Sequence, residues 1–126
     1  MSRNANVSYM MEPQTEKTAN YTVVADTDCG KVFSSKLDGM VFTLPAISGG
    51  QVHMFVNTAE DETAKMSISP NASDGIMYVG SNTDDKDAIN TKATQKKGDF
   101  IMLKSSEAGT VAWQVVASRG IWAKEA

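Results

Sequence analysis

Tyr21-Thr22-Val23-Val24-Ala25, Asp28-Cys29-Gly30-Lys31-Val32-Phe33 and Val41-Phe42-Thr43-Leu44-Pro45 are the stretches that decide the fold of this chain. Each is short, rich in β-branched and aromatic residues, and bounded by Asp, Gly or Pro, the punctuation of a β protein. Side chains of a strand point alternately to its two faces, so Met40, Phe42 and Leu44 are expected to face a core while Val41 and Thr43 face away. Pro45 cannot donate to a ladder, which ends that strand at Leu44 or places it at an edge.

Working outward, the same period continues. Val52, Met54 and Val56 form one face of the next segment, expected to point inward, opposed by Gln51, His53 and Phe55. Further strands are expected around Met66 and Ile68, over residues 76–79, over 100–103, and over 110–117 with Val111, Trp113 and Val115 on one side. Asp38-Gly39, Gly49-Gly50, Asp74-Gly75 and Ala108-Gly109 supply turn residues between them. Residues 84–97 read as a loop with a short strand, because Ile89, Thr91 and Thr94 are β-branched and no 3.6-residue period is present. No internal repeat is evident. The expectation is an all-β, single-domain antiparallel β-sandwich or barrel of about seven to nine short strands over residues 21–126.

Residues 1–20 differ in composition, being rich in Asn, Ser, Thr and Glu, with apolar content limited to Val7, Tyr9, Met10 and Met11. They read as an extended N-terminal arm, or equally as a first edge strand lying on its own domain. As an arm, Tyr9, Met10 and Met11 would dock on a neighbour, methionine being adaptable enough to fill irregular pockets. Trp122, in the short segment after Gly120, either closes the core or joins those three as a partner-binding anchor.

Composition narrows the function. The 126 residues carry 12 Lys and Arg against 15 Asp and Glu, a formal charge of −3, so the overall field repels nucleic acid. Lys92, Lys96 and Lys97 are the one basic cluster and lack interleaved aromatics, which reads as a solvated loop. The single cysteine, Cys29, rules out an internal disulfide. The first residues lack the apolar run of a signal peptide, and no apolar stretch approaches the ~20 residues of a membrane span, so a soluble protein made without secretion is expected.

Chemistry-bearing patterns are sparse. His53 is the only histidine, which excludes a multi-histidine metal site, and its place within an alternating strand reads as structural. Asp26-Thr27-Asp28, Glu60-Asp61-Glu62 and Asp84-Asp85-Lys86-Asp87 are acidic clusters without the spacing of a calcium loop and read as solvated turns. His53 with Glu60 or Asp61 is the best hydrolytic set on offer. No phosphate-binding, dinucleotide, zinc or acyl-transfer motif occurs. No catalytic residue, cofactor or metal is therefore expected.

One likeness goes beyond these readings. Tyr21 opening a strand, Asp28-Cys29-Gly30-Lys31-Val32-Phe33, Thr43-Leu44-Pro45, and Gly50 to Phe55 together resemble a module of tailed-bacteriophage virion proteins. Gly98-Asp99-Phe100-Ile101-Met102-Leu103 and Val111-Ala112-Trp113-Gln114-Val115-Val116 resemble the hairpin that ends such modules. The resemblance covers about half the chain, and residues 57–97 depart from it. It implies a non-enzymatic virion structural protein made in the host cytoplasm. The role it suggests first is a capsid decoration (cement) protein, trimeric, bound to the major capsid protein on the head surface, with its arm contacting neighbouring subunits. The alternative is a tail-fibre or spike module binding a receptor or glycan, for which Tyr78, Trp113 or Trp122 would be the exposed aromatics. Neither nucleic acid nor membrane is an expected partner.

Overall fold

Alternation around Phe42 produces the strand it predicts. In the computed structural model, which describes residues 14–47, 50–77, 85–105 and 113–125, Met40, Phe42 and Leu44 are buried and Val41 and Thr43 are half-buried. The strand itself is Met40–Thr43. The chain is nearly all β, and its strands in order are β1 Thr15–Glu16, β2 Tyr21–Thr22, β3 Val32–Ser35, β4 Met40–Thr43, β5 Val52–Asn57 and β6 Met66–Ser69. They continue with β7 Ile76–Met77, β8 Ala88–Asn90, β9 Asp99–Lys104, β10 Trp113–Arg119 and β11 Trp122–Lys124, with one 3-10 turn at Lys92–Thr94. Eleven strands are thus described against seven to nine expected, and three of them (β1, β2 and β7) are only two residues long.

Two sheets result, in the order β1-β3-β5-β9-β10-β7 (sheet I) and β11-β8-β6-β4-β2 (sheet II). The expected antiparallel pairing is corrected here: β1 with β3, β3 with β5, β2 with β4, β4 with β6 and β7 with β10 all run parallel. The reason lies in the turns. A hairpin returns a strand beside its predecessor, whereas the turn at Asp38-Gly39 carries the chain from β3 in sheet I to β4 in sheet II. Residue Gly39, at φ +85°, donates its N–H to Lys65 O, and Asp38 Oδ1 accepts from Lys65 N at 2.9 Å, which ties this turn to the next passage of the chain. Each following strand re-enters its own sheet in the same direction, and the opposite sheet serves as the crossover that parallel pairing requires. Only β8, β9, β10 and β11 add antiparallel pairs.

Both sheets contribute to one core containing Phe33, Phe55, Ile101, Leu103 and Trp113 from sheet I and Met40, Phe42, Met66, Ile68 and Trp122 from sheet II. Phe33 and Phe55 are register partners with stacked rings 6.1 Å apart, and Phe42 reaches across from the other sheet to 4.8 Å from Phe55. This register corrects the expected phase of β5. Gln51, His53 and Phe55 are buried, Phe55 within the core, whereas Val52 and Met54 are half-buried on the opposite face. With apolar residues on both faces of β5, alternation alone could not choose; the larger Phe55 ring, laddered between Phe33 and Ile101, takes the interior.

Other boundaries shift for local reasons. Of residues 21–25 only Tyr21–Thr22 pairs as a strand, although Val23 is buried and donates its N–H to Thr43 O. Residues 25–30 form a turn, with Asp26 at φ 66° and Gly30 at φ 80°, before β3 starts at Val32. The expected loop with a short strand over 84–97 is seen as β8 and the 3-10 turn. Residues 14–20, read either as arm or as a first edge strand, lie on the body, as in the second of those readings. Here β1 pairs with β3, Lys17 N donates to Ser34 O, Asn20 Oδ1 accepts from Val41 N, and the Lys17 ammonium sits 3.9 Å from the centre of the Tyr21 ring.

Candidate interaction surface

His53 faces inward from β5 and is fully buried. Its Nε2–H donates to Gln51 Oε1 at 3.0 Å, which leaves Nδ1 as a lone pair without a partner, and its ring lies 5.6 Å from that of Trp113. Burial pushes its pKa down from 6.5 to about 4, against the opposing pull of Asp28, so the imidazole is neutral at pH 7. A base needs to meet substrate, and this one has no exposed surface. The Cys29 thiol is half-buried and points at the Gly50 carbonyl, Sγ to O 3.8 Å.

The acidic clusters have structural partners. Asp28 was expected in a solvated turn but is buried, because its Oδ2 accepts from Tyr21 Oη at 2.7 Å and from Val24 N at 2.8 Å, with Lys31 Nζ 3.6 Å from Oδ1. That bond to the carboxylate, with burial and the charge itself, pushes the Tyr21 phenol up to about 12. Glu60, Asp61 and Glu62 meet the basic loop: Lys97 Nζ is 2.9 Å from Glu60 Oε2, Lys96 Nζ 2.7 Å from Glu62 Oε2, and Lys97 N donates to Asp61 Oδ1. Lys92 pairs with Asp38 at 2.9 Å. The three lysines of the candidate basic patch are therefore neutralised on one exposed rim. Among the described residues, no three His, Cys, Asp or Glu side chains converge as metal ligands. Also among them, no helix is long and apolar enough to cross a membrane.

Beneath that rim runs a buried amide network that sequence reading missed. Asn57 Nδ2 donates to Asn90 Oδ1 at 2.9 Å, and Asn90 Nδ2 donates to Asp99 Oδ2 at 3.1 Å and to Ile121 O. Gln95 Nε2 donates to Ala59 O while its Oε1 accepts from Thr63 N and Ala64 N. All four side chains are buried. Each bond either joins the strands or pins the loops between them. This is scaffold.

The partner-binding candidates separate. Tyr9, Met10 and Met11, like Tyr78, lie outside the described residues. Trp122 is a core residue of β11, 4% exposed, whose indole N–H donates to Arg119 O at 3.0 Å; of its two readings the structure has the one in which it closes the core, and as a surface anchor it is corrected. Trp113 is likewise fully buried and offers no stacking face to a glycan.

The apolar residues left over from the core collect elsewhere. Because Phe33, Phe55 and Ile101 point inward, their neighbours Val32, Met54 and Met102, themselves in register, point out of sheet I on its far face. Val56 and Phe100 form the next rung on that face, and Val52 lies one rung beyond Met54. Val32 and Val56 are buried yet belong to no part of the core cluster, and Val52, Met54, Phe100 and Met102 are half-buried. Close to the edge of the same sheet, Glu16, Lys17, Thr18, Lys36 and Leu37 line an open, mainly apolar cavity of about 280 Å³. No known protein family, curated protein or solved structure matches this chain.

Proposed function

We propose that this protein is a non-enzymatic virion component, a capsid decoration protein that binds the major capsid protein on the outside of a phage head as a homo-oligomer, a trimer by analogy with the proteins it resembles. In this reading the two sheets form a β-sandwich whose role is to present surface rather than to enclose a reaction. The observation that carries it is the distribution of chemistry over the molecule. His53, Asp28, Asn57, Asn90 and Asp99 are buried, the lysines of the basic loop are paired with carboxylates, and half-buried apolar residues outside the core, Val52, Met54, Phe100 and Met102, lie on the outer face of sheet I. Such a surface suits repeated, modest contacts multiplied over a symmetric lattice.

Cosedimentation with phage heads lacking a decoration protein tests this. Full-length protein is expected to pellet with the heads in a saturable, stoichiometric manner, and deletion of residues 2–13, which spares β1, is expected to abolish pelleting while the β circular dichroism persists. Absence of pelleting by the full-length chain, or undiminished pelleting by the deletion, overturns the proposal.

A further inference from the structure

Strand β10 is seven residues long, but its neighbour on the outer side, β7, pairs only with Trp113 and Gln114. Among the described residues, the rest of the strand, Val115 to Arg119, lies against β9 on one side and against no strand on the other. Every residue from Val116, which has no register partner on β9, through to Ile121 is exposed. Val116 and Ile121, at 54% and 58%, are the most exposed large apolar side chains described. The other edges are built differently. β1, β2 and β7 are two residues long and β11 is three, with Glu16 and Lys124 adding charge to two of them, and short, charged edges are how a sheet avoids pairing with another chain.

The open run of β10 contains no Pro, and its one charge, Arg119, stands at the end. A ladder edge of free N–H and C=O groups suits one kind of occupant, another strand. Of the edges described, only a second β10 is long enough to match this one throughout. We infer that two copies of this chain pair through this edge, antiparallel about a twofold axis at Ala117. In that register Ala117 faces its own copy, Val116 faces Ser118 and Val115 faces Arg119, which keeps the two guanidinium-bearing positions about 14 Å apart along the seam. Like charges therefore never oppose. Gly120, at φ +96°, carries the chain off toward β11 in sheet II before it meets the other copy's β7. The seam is about 17 Å long, which places it among the small, reversible interfaces, and an isologous contact closes at two copies. It does not rest on the decoration reading, whose count of three comes from analogy; head binding and self-pairing are separate measurements.

Analytical ultracentrifugation of the full chain, from about 10 µM to about 1 mM to cover weak affinities, tests this. A reversible equilibrium between one and two copies is expected; a monomer at every concentration, or an assembly of an odd number of copies, overturns the seam. A117K and A117E each set like charges face to face across the axis and are expected to weaken pairing several-fold with the β circular dichroism unchanged, whereas an equimolar mixture of the two is expected to pair again. Pairing undiminished in either variant, or no recovery in the mixture, also overturns it. As a second measurement, A117C in a C29S background is expected to form a disulfide-linked dimer on mild oxidation much faster than V24C, an exposed position on another part of the molecule, because residues facing each other across a ladder come within the Cα separation that a disulfide needs. Equal rates at the two positions refute the pairing.

Discussion

The first half of the body and the second are built on different terms. From β1 to β6 the chain passes back and forth between the sheets, and its strands stack in parallel through apolar ladders: Phe33 on Phe55, and Tyr21, Phe42 and Ile68 in one line. From β8 onward the strands are mostly antiparallel, and the buried Asn57, Asn90 and Asp99 chain lies where β8 and β9 join what came before. The contrast teaches how register is set. An apolar ladder tolerates slippage until the core is filled, whereas a buried amide accepts one alignment, since any other leaves donors and acceptors unpaired.

The largest effect therefore belongs to the ladder that both sheets share. Phe42→Ala removes the ring lying 4.8 Å from Phe55 and 6.0 Å from Phe33. It is expected to cost about 3–5 kcal/mol in urea denaturation, the range for a buried Phe reduced to Ala. A loss under about 1 kcal/mol would show that the two sheets are not held by this core.

Acid sharpens the comparison within sheet I. His53 has a folded pKa of about 4 against 6.5 for the free side chain, so the unfolded chain binds the proton more readily. The stability this implies is intact above pH 6.5 and is lost as pH falls toward 4, by up to about 3 kcal/mol at 1.36 kcal/mol per pKa unit. His53→Gln is expected to flatten that part of the stability-against-pH curve; an unchanged slope between pH 6.5 and 4 refutes the assignment.

At the seam the smaller group is expected to matter nearly as much. Asn90→Ala strips Asn57 of an acceptor and the buried Asp99 of a donor, which is expected to cost about 2–3 kcal/mol because each orphaned buried group bears its own desolvation penalty. Gly120→Ala strikes the same carboxylate from the other side, since a Cβ there would lie 2.3 Å from Asp99 Cγ. Gly39→Ala meets open space and suffers only its positive φ, for which about 1–2 kcal/mol is expected. Thermal midpoints should rank Gly120→Ala below Gly39→Ala, and the reverse order would mean that Asp99 is free to move.

These residues also show what the sequence made legible. Met40, Phe42 and Leu44 could be read directly, because over β4 and the residue after it one face carries three large apolar side chains and the other only Val41 and Thr43. The winding could not, because its passages differ in length: Phe33 to Phe55 is 22 positions and Phe42 to Ile68 is 26, so no fixed period marks the repeat. Asp28 looks like any turn carboxylate until Tyr21 and Val24 are folded onto it. The partners of Glu60 and Glu62 lie 37 and 34 residues away, beyond any local pattern. The outer apolar face had a signal in Val52-His53-Met54-Phe55-Val56, a strand with apolar residues on both sides, but only register reveals which side the core claims.

The exposed rim marks the low end of the scale. Lys96 and Lys97 have pKa values raised by their hydrogen bonds to Glu62 and Glu60, yet both lysines stand in solvent, where salt and water screen each pair and two long side chains must be ordered to form it. The loops beneath are already held by Gln95, which bonds to Ala59, Thr63 and Ala64 from a fully buried position. K96A/K97A is thus expected to leave the thermal midpoint within experimental error, at low and at high salt alike. Gln95→Ala, at the position immediately before these lysines, is expected to lower it clearly. Should the lysine variant prove the more damaging of the two, the rim rather than the buried amides would be what fastens the second half of the molecule to the first.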